Sequence, residues 1–398
     1  MQHDHIIIGS GLAALAAALG SSPDEKVLVL AGEPEGRYRF YNALRAVPCA
    51  FTGYGGLGND WHGVIPMRLE GTLTVEDFTE FTSFFGRFFP HAPVSDHAGR
   101  DAFFVPWQPI RPHRAWSALQ AVRGSNLAIV PLQALQILED GSGAAVRSGD
   151  GQTHRARHVW VAAGCLQTPF LLDSSFGPGI ARDHVSDHAL CYVGMIGRRA
   201  GPRITRHREG AFFEAFYGER RDTLYTLRPA RFEYRRLDHG IEQRAVFGMP
   251  TGSAVRKIAR RLSPGLLVEA FFNRFALFPQ ASCYSVYGQT AVRDAYTLRD
   301  AEMPITARIE VIAEATQSAR ERAPFADLQP SRRNDLYIPG IHLYHSVHVP
   351  ALKSLGINEP GGSIQVVDAS VIEDIGPEHP SFNVMFKAFK AVAAVAGA

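Results

Sequence analysis

The chain opens with a short run that has no polar alternation. His5-Ile6-Ile7-Ile8 is apolar and β-branched, so it predicts a strand buried on both faces in a parallel sheet. A Gly-Ser-Gly segment stops it. Leu12 to Leu19, rich in Ala and Leu, predicts a helix, and Lys26-Val27-Leu28-Val29-Leu30 predicts a second buried strand. The period then changes. From Leu73 to Pro90, Phe78, Phe81, Phe84, Phe85 and Phe88 recur at helical spacing and are expected to face the core. Leu127-Ala-Ile-Val-Pro-Leu starts a β region in which Gly141, Gly143 and Gly151 mark hairpin turns, and a strand from His158 to Ala163 runs into Gly164. Val193 to Pro250 alternates aromatic and charged residues, the period of half-exposed antiparallel strands. Ser253 to Phe275 reads as an amphipathic helical stretch broken near Ser263-Pro264-Gly265, with Arg256, Lys257, Arg260 and Arg261 on its polar side. Such a stretch packs on a core by default; its sharper reading is a helix on a membrane surface or over an active site. Ala307 to Ala323 predicts a strand passing into a helix, and Lys387 to Ala396 a closing helix.

The junction between the first strand and the first helix carries chemistry. Gly9, Gly11 and Ala14 have the spacing G-x-G-x-x-A. Gly9 allows the tight turn, Gly11 lets the backbone approach a pyrophosphate, and Ala14 lets the helix pack close. The helix N-terminus then points at the phosphates. The acidic residue that takes the ribose hydroxyls normally ends the second strand. Ala31 occupies that place, and Glu33, two residues on, is the candidate for the role.

Composition narrows the class. A chain of 398 residues with 46% hydrophobic content can bury a large core, in two domains or one large composite one. A formal charge of +2 gives no reason to expect nucleic acid as a partner. No signal peptide is expected, because the nucleotide strand begins at residue 5, and no apolar run reaches the length of a membrane span. Cys49, Cys165, Cys191 and Cys283 are widely spaced with no C-x-x-C, the pattern of reduced thiols in a cytoplasmic protein. Charge is uneven: residues 198–261 hold sixteen Arg/Lys against seven Asp/Glu. The plain reading is a solvated surface, and the sharper one is an anionic substrate or peripheral membrane contact.

Several further blocks resemble the glucose–methanol–choline (GMC) flavin oxidoreductases. In the glycine-rich run Gly53 to Gly63, the part from Gly55-Gly56 to Trp61-His62-Gly63 is similar to the family's glycine-rich loop along the flavin, with Glu76-Asp77-Phe78 at the usual distance after it. Val161 to Ser175 is similar to the family's second motif, A-G-x-x-x-T-P-x-L-L-x-x-S, at every fixed position. Asp368 to Val371 resembles the D-x-S-V block, and His379-Pro380 follows the Ser by the expected nine residues. His348, with Ala351, Leu355 and Gly356 downstream, resembles the catalytic His frame; His345 competes for that place. The chain is shorter than most of the family and is compressed between this frame and Asp368.

The resemblance implies an α/β fold: a Rossmann-like FAD-binding domain of GMC type, formed by residues 1–70, 125–190 and 335–398. A substrate domain built on an antiparallel sheet (residues 71–124 and 191–334) is inserted in it. Besides the phosphate turn and Glu33, it implies FAD contacts from Gly56, Asn59, Trp61, Ala163, Gly164, Asp368, His379 and Pro380. The implied reaction oxidises a CH–OH group of an alcohol or sugar-like substrate, with oxygen or a redox partner as final acceptor. Loss of a hydroxyl proton needs a base, and an imidazole with an ordinary pKa of about 6.5 suits that near neutrality. His348 is expected to be that base, and His379 its partner on the substrate oxygen. The alternatives are a lyase-type flavoprotein of the same fold and a flavin-binding module without catalysis.

Overall fold

A computed structural model describes residues 2–40, 48–67, 75–97, 99–140, 143–197, 203–229, 283–298, 305–330 and 337–396. The predicted helix at Ser253–Phe275 and most of the basic stretch lie outside the described residues.

The expected opening is present. Strand β1 (Gln2–Ile8) leads through the glycine turn into α1 (Leu12–Gly20), and β2 (Val27–Leu30) returns parallel to β1. Helix α2 (Val75–Phe88) carries the phenylalanine stripe, and α3 (Pro112–Arg123) begins with Pro at its first turn, where a missing N–H costs nothing. Strand β3 (Leu127–Val130) pairs parallel to β2. Strands β4 (Ala134–Asp140), β5 (Gly143–Ser148) and β6 (Thr153–Val161) form an antiparallel meander, and β6 also lies parallel to β1. Helix α4 (Thr168–Phe176) follows.

Next come the long strands of a second, antiparallel sheet: β7 (His184–Gly197), β8 (Thr223–Pro229) and β9 (Cys283–Leu298), in the order β8-β9-β7. Helix α5 (Ile309–Glu321) packs on β7 and β9. The C-terminal block supplies α6 (Val349–Ser354), β10 (Ile364–Val366) and α7 (Ser381–Ala393). Strand β10 lies parallel to the last residues of β6, so the first sheet takes in both ends of the chain.

The first sheet is covered on both faces, which is why its strands read as continuous apolar runs. Ile7, Val27, Val29 and Trp160 pack with α1, α7 and the buried Phe81, Phe84 and Phe85 of α2. Ile6, Ile8, Leu28, Leu30, Val159 and Val161 pack on the opposite face with Leu171 and Leu172 of α4, Val347, and Leu352 of α6. The second sheet has its own core around Val185, Cys191, Val286 and Tyr296. The phenylalanine stripe therefore joins the nucleotide-side core: Phe81, Phe84 and Phe85 stack against Phe382 and Phe386 of α7. Among the described residues no helix is long and apolar enough to cross a membrane.

Candidate active site

A cavity of about 460 Å³ opens at the C-terminal ends of β1, β2 and β6, where open α/β sheets bind ligands. Its floor is the phosphate turn. Gly9 has φ +109°, and a Cβ there would lie 2.2 Å from the Ala162 carbonyl oxygen, so only glycine fits. Gly11 caps α1 and leaves open space: a Cβ would meet nothing nearer than the Gly55 oxygen at 3.9 Å. Gly164, at φ +87°, has nothing within 4 Å of its own Cβ position. The open backbone at Gly11 and Gly164, with a helix N-terminus between the walls, fits a dinucleotide with its pyrophosphate on α1. Glu33 lines the same cavity just beyond β2, while Ala14 is a fully buried residue of α1 and serves packing. Ser10 holds the glycine-rich loop over the turn, its hydroxyl donating to the Ala31 carbonyl and accepting from the Gly55 N–H.

The two distant motifs lock together at Asp368. Its Oδ2 accepts from the Gly164 N–H at 2.8 Å and the Thr168 hydroxyl at 2.6 Å, and its Oδ1 accepts from the Ser370 N–H. At the other end of α4, the Ser175 hydroxyl donates to the Leu171 carbonyl and accepts from the Ile137 N–H. The fixed polar positions of the second motif thus hold α4 between β4 and the Asp368 block. Asp368, Ala163, Gly164, Gly56 and Pro380 all line the cavity. Asn59 and Trp61 do not. Asn59 bonds the Tyr54 carbonyl and the His113 ring, Trp61 is buried in the first core, and the carbonyls of both accept from Arg111. Both residues set the loop's shape rather than its inner wall.

The imidazole in the cavity wall is His342. Its ring lies edge-on to His379, with centroids 5.3 Å apart. His348, expected from the sequence as the base, is not among the residues lining the cavity. It is exposed at the N-cap of α6, its N–H donating to the Ile180 carbonyl, while Val347 beside it packs into the core on the α4 face of the sheet. His345 also points to a different partner. Its Nε2 accepts from the Arg182 guanidinium at 2.8 Å, an arrangement that leaves it a structural acceptor.

His342 sits on a loop held by β7. Ile341 takes φ +52°, an unfavourable value for a β-branched residue. Asp187, fully buried, holds that conformation. Its Oδ1 accepts from the N–H groups of His188 and His342, and its Oδ2 from the Ile341 N–H and the Tyr296 hydroxyl. Burial pushes the Asp187 carboxyl up to about 7, and these donors oppose the rise. Asp187 follows an irregularity in the β7–β9 pairing, where the register passes from Val185↔Tyr296 to Asp187↔Val292. Such bulges re-aim side chains near functional sites.

His188, next along β7, bonds the His342 ring, Nδ1 to Nδ1 at 3.1 Å. Burial drives the His342 pKa well below its ordinary value, assisted by the imidazoles of His188, His379 and His62. Cys165 closes the wall, its thiol donating to the Leu343 carbonyl. Asp187, His188 and Cys165 lie outside the sequence-predicted site. They meet His342 or its neighbour Leu343 only through contacts more than 150 residues apart in the chain.

No protein-family model and no curated protein matches the sequence. Solved structures do match the architecture. Pyridoxine 4-oxidase from Mesorbium loti aligns over 98% of both chains at 14% identity, with a TM-score of 0.50. An FAD-dependent oxidoreductase from Chaetomium thermophilum aligns over 99% of both chains at 12% identity, with a TM-score of 0.52. The fold is that of the GMC oxidoreductases. The parallel strands of its first sheet and its separate antiparallel sheets match that architecture.

Proposed function

We propose that this GMC-fold chain binds FAD in the cavity and oxidises a CH–OH group of a small alcohol or sugar-like molecule to a carbonyl. The observation that carries the reading is His342 in the wall of a nucleotide cavity, with the His379 ring 5.3 Å from it. Gly11 and the N-terminus of α1 hold the pyrophosphate, Glu33 takes the ribose hydroxyls, and Gly164 leaves room for close approach. FAD, when bound, supplies the acceptor for the hydride that leaves the carbinol carbon. His342 takes the hydroxyl proton, a role open to it because its ring stays neutral. His379 donates a hydrogen bond to the substrate oxygen and aims the C–H bond. Two structural neighbours, an oxidase and an oxidoreductase, support this class of reaction. The buried thiols of Cys49, Cys165 and Cys191, none of them in a disulfide, support a reducing, cytoplasmic setting.

The test begins with the purified protein, which is expected to be yellow and to release FAD on denaturation. Anaerobic addition of alcohols and sugars is then expected to bleach the flavin with at least one of them. Release of NAD, or failure to bind added FAD, removes the cofactor assignment. Bound FAD that no CH–OH donor bleaches points to lyase-type chemistry or to a binding module.

A further inference from the structure

His188 belongs to none of the sequence motifs, yet it joins the two loops that carry the histidine pair. Its Nε2 lies 2.7 Å from the carbonyl oxygen of Gly376, three residues before His379. Its Nδ1 lies 3.1 Å from Nδ1 of His342, and the two rings stand nearly perpendicular, at 77°. We propose that His188 is a positioning residue that sets the ring tautomer of His342. It donates its Nε2 proton to Gly376 and accepts the Nδ1 proton of His342, so that Nε2 of His342 keeps the lone pair. The inference rests on the reading of His342 as the base.

The argument follows the protons along the chain of contacts. A carbonyl oxygen only accepts, so Nε2 of His188 must carry a hydrogen. The ring of His188 is fully buried, and the nearest carboxylate, Asp187, has both oxygens engaged by the Tyr296 hydroxyl and backbone N–H groups. Its nearest ring neighbours are His342 and Tyr344, neither of which would stabilise a cation there. Burial accordingly lowers its pKa to about 4, and the ring is neutral. A neutral ring with hydrogen on Nε2 has a bare Nδ1, which must accept. The facing Nδ1 of His342 is therefore the donor, and a neutral His342 then has its only lone pair on Nε2. The opposite tautomer would set two bare nitrogens 3.1 Å apart and leave the base without a basic nitrogen for substrate. A wrongly set tautomer of a catalytic imidazole costs up to about 10⁴ in rate in other enzymes.

The experiment is NMR of the FAD-loaded protein with ¹⁵N-labelled histidine, the His342 signals being assigned by their loss in His342→Gln. The wild type is expected to show His342 protonated on Nδ1 and unprotonated on Nε2. His188→Phe keeps a ring but no acceptor. It should convert His342 to a mixed or Nε2–H form and slow anaerobic flavin reduction by at least about tenfold with little change in KM. His188→Asn offers a carbonyl oxygen near the place of Nδ1 and should restore the wild-type tautomer and much of the rate. Wild-type His342 protonated on Nε2 overturns the proposal, and that spectrum decides the matter even if the Phe variant does not fold. A folded His188→Phe that keeps both tautomer and rate overturns it as well. The spectrum needs no turnover, so a failed substrate screen would count against the function of His342 and not against its tautomer.

Discussion

His342 and His348 are six residues apart and stand in opposite environments. One is in the wall of a cavity beside three other imidazoles; the other is exposed on a helix cap. The difference makes the base assignment easy to test. His342→Ala is expected to keep FAD and lose turnover by about 10²–10⁴-fold, the usual worth of a positioned base, whereas His348→Ala should turn over nearly as the wild type does. Equal losses at both positions would contradict the assignment. The pH dependence follows from the direction of the shift. A lowered pKa keeps His342 unprotonated at acidities where an ordinary imidazole, at 6.5, is half protonated. The acid limb of the rate of flavin reduction should therefore lie below pH 6.5, and a limb at or above that value would mean that His342 is not the titrating group.

The element that matters most for the site is the contact of the Gly340–Leu343 loop with β7. The Gly340 N–H donates to the His188 carbonyl, and a Cβ on Gly340 would lie 2.7 Å from that oxygen and 2.8 Å from the His188 Cβ. Gly340→Ala must push the loop off the strand, because neither contact is the far end of a flexible side chain. We expect FAD to remain bound, the unfolding free energy to fall by about 1–3 kcal/mol and flavin reduction to slow. Urea titration and stopped-flow reduction measure the two effects, and no change in either would show that β7 does not position the base.

This level of structure was the least legible in the sequence. The phosphate turn could be read because its parts are neighbours: a strand, a glycine turn and a helix within 20 residues. The Val161–Ser175 motif could be read for the same reason, since its Thr and Ser act within or beside one short helix. The environment of His342 is made by residues 154 positions away on a strand whose alternation marks only its sheet character. A spacing frame, which measures distance along the chain, preferred His348.

At the scale of the whole molecule, the first core is built by the beginning, the middle and the end of the chain together. Phe84 shows how much rests on it. The side chain is fully buried and touches the rings of Phe88, Phe382, Phe386 and Phe389. Phe84→Ala is expected to cost about 3–5 kcal/mol, seen as a lower melting temperature with earlier release of the cofactor. Val122→Ala, at a position 85% exposed, should stay within about 0.5 kcal/mol of the wild type. Similar losses at both positions would mean that the packing of α2 against α7 does not carry the core.

Strand β6 uses its first residues to pair with β5 and its last to pair with β10, which arrives more than 200 residues later. During synthesis the cofactor turn leaves the ribosome early, but the sheet beside it stays one strand short until residues 364–366 appear. Until then the half-strand Val159–Val161 has an open hydrogen-bonding edge, and α1 lacks the helix that covers it. Contacts so distant along a chain form slowly, and exposed edges in the interval invite pairing with other molecules. A chain cut before residue 364 would leave the first sheet unfinished and not merely shorter.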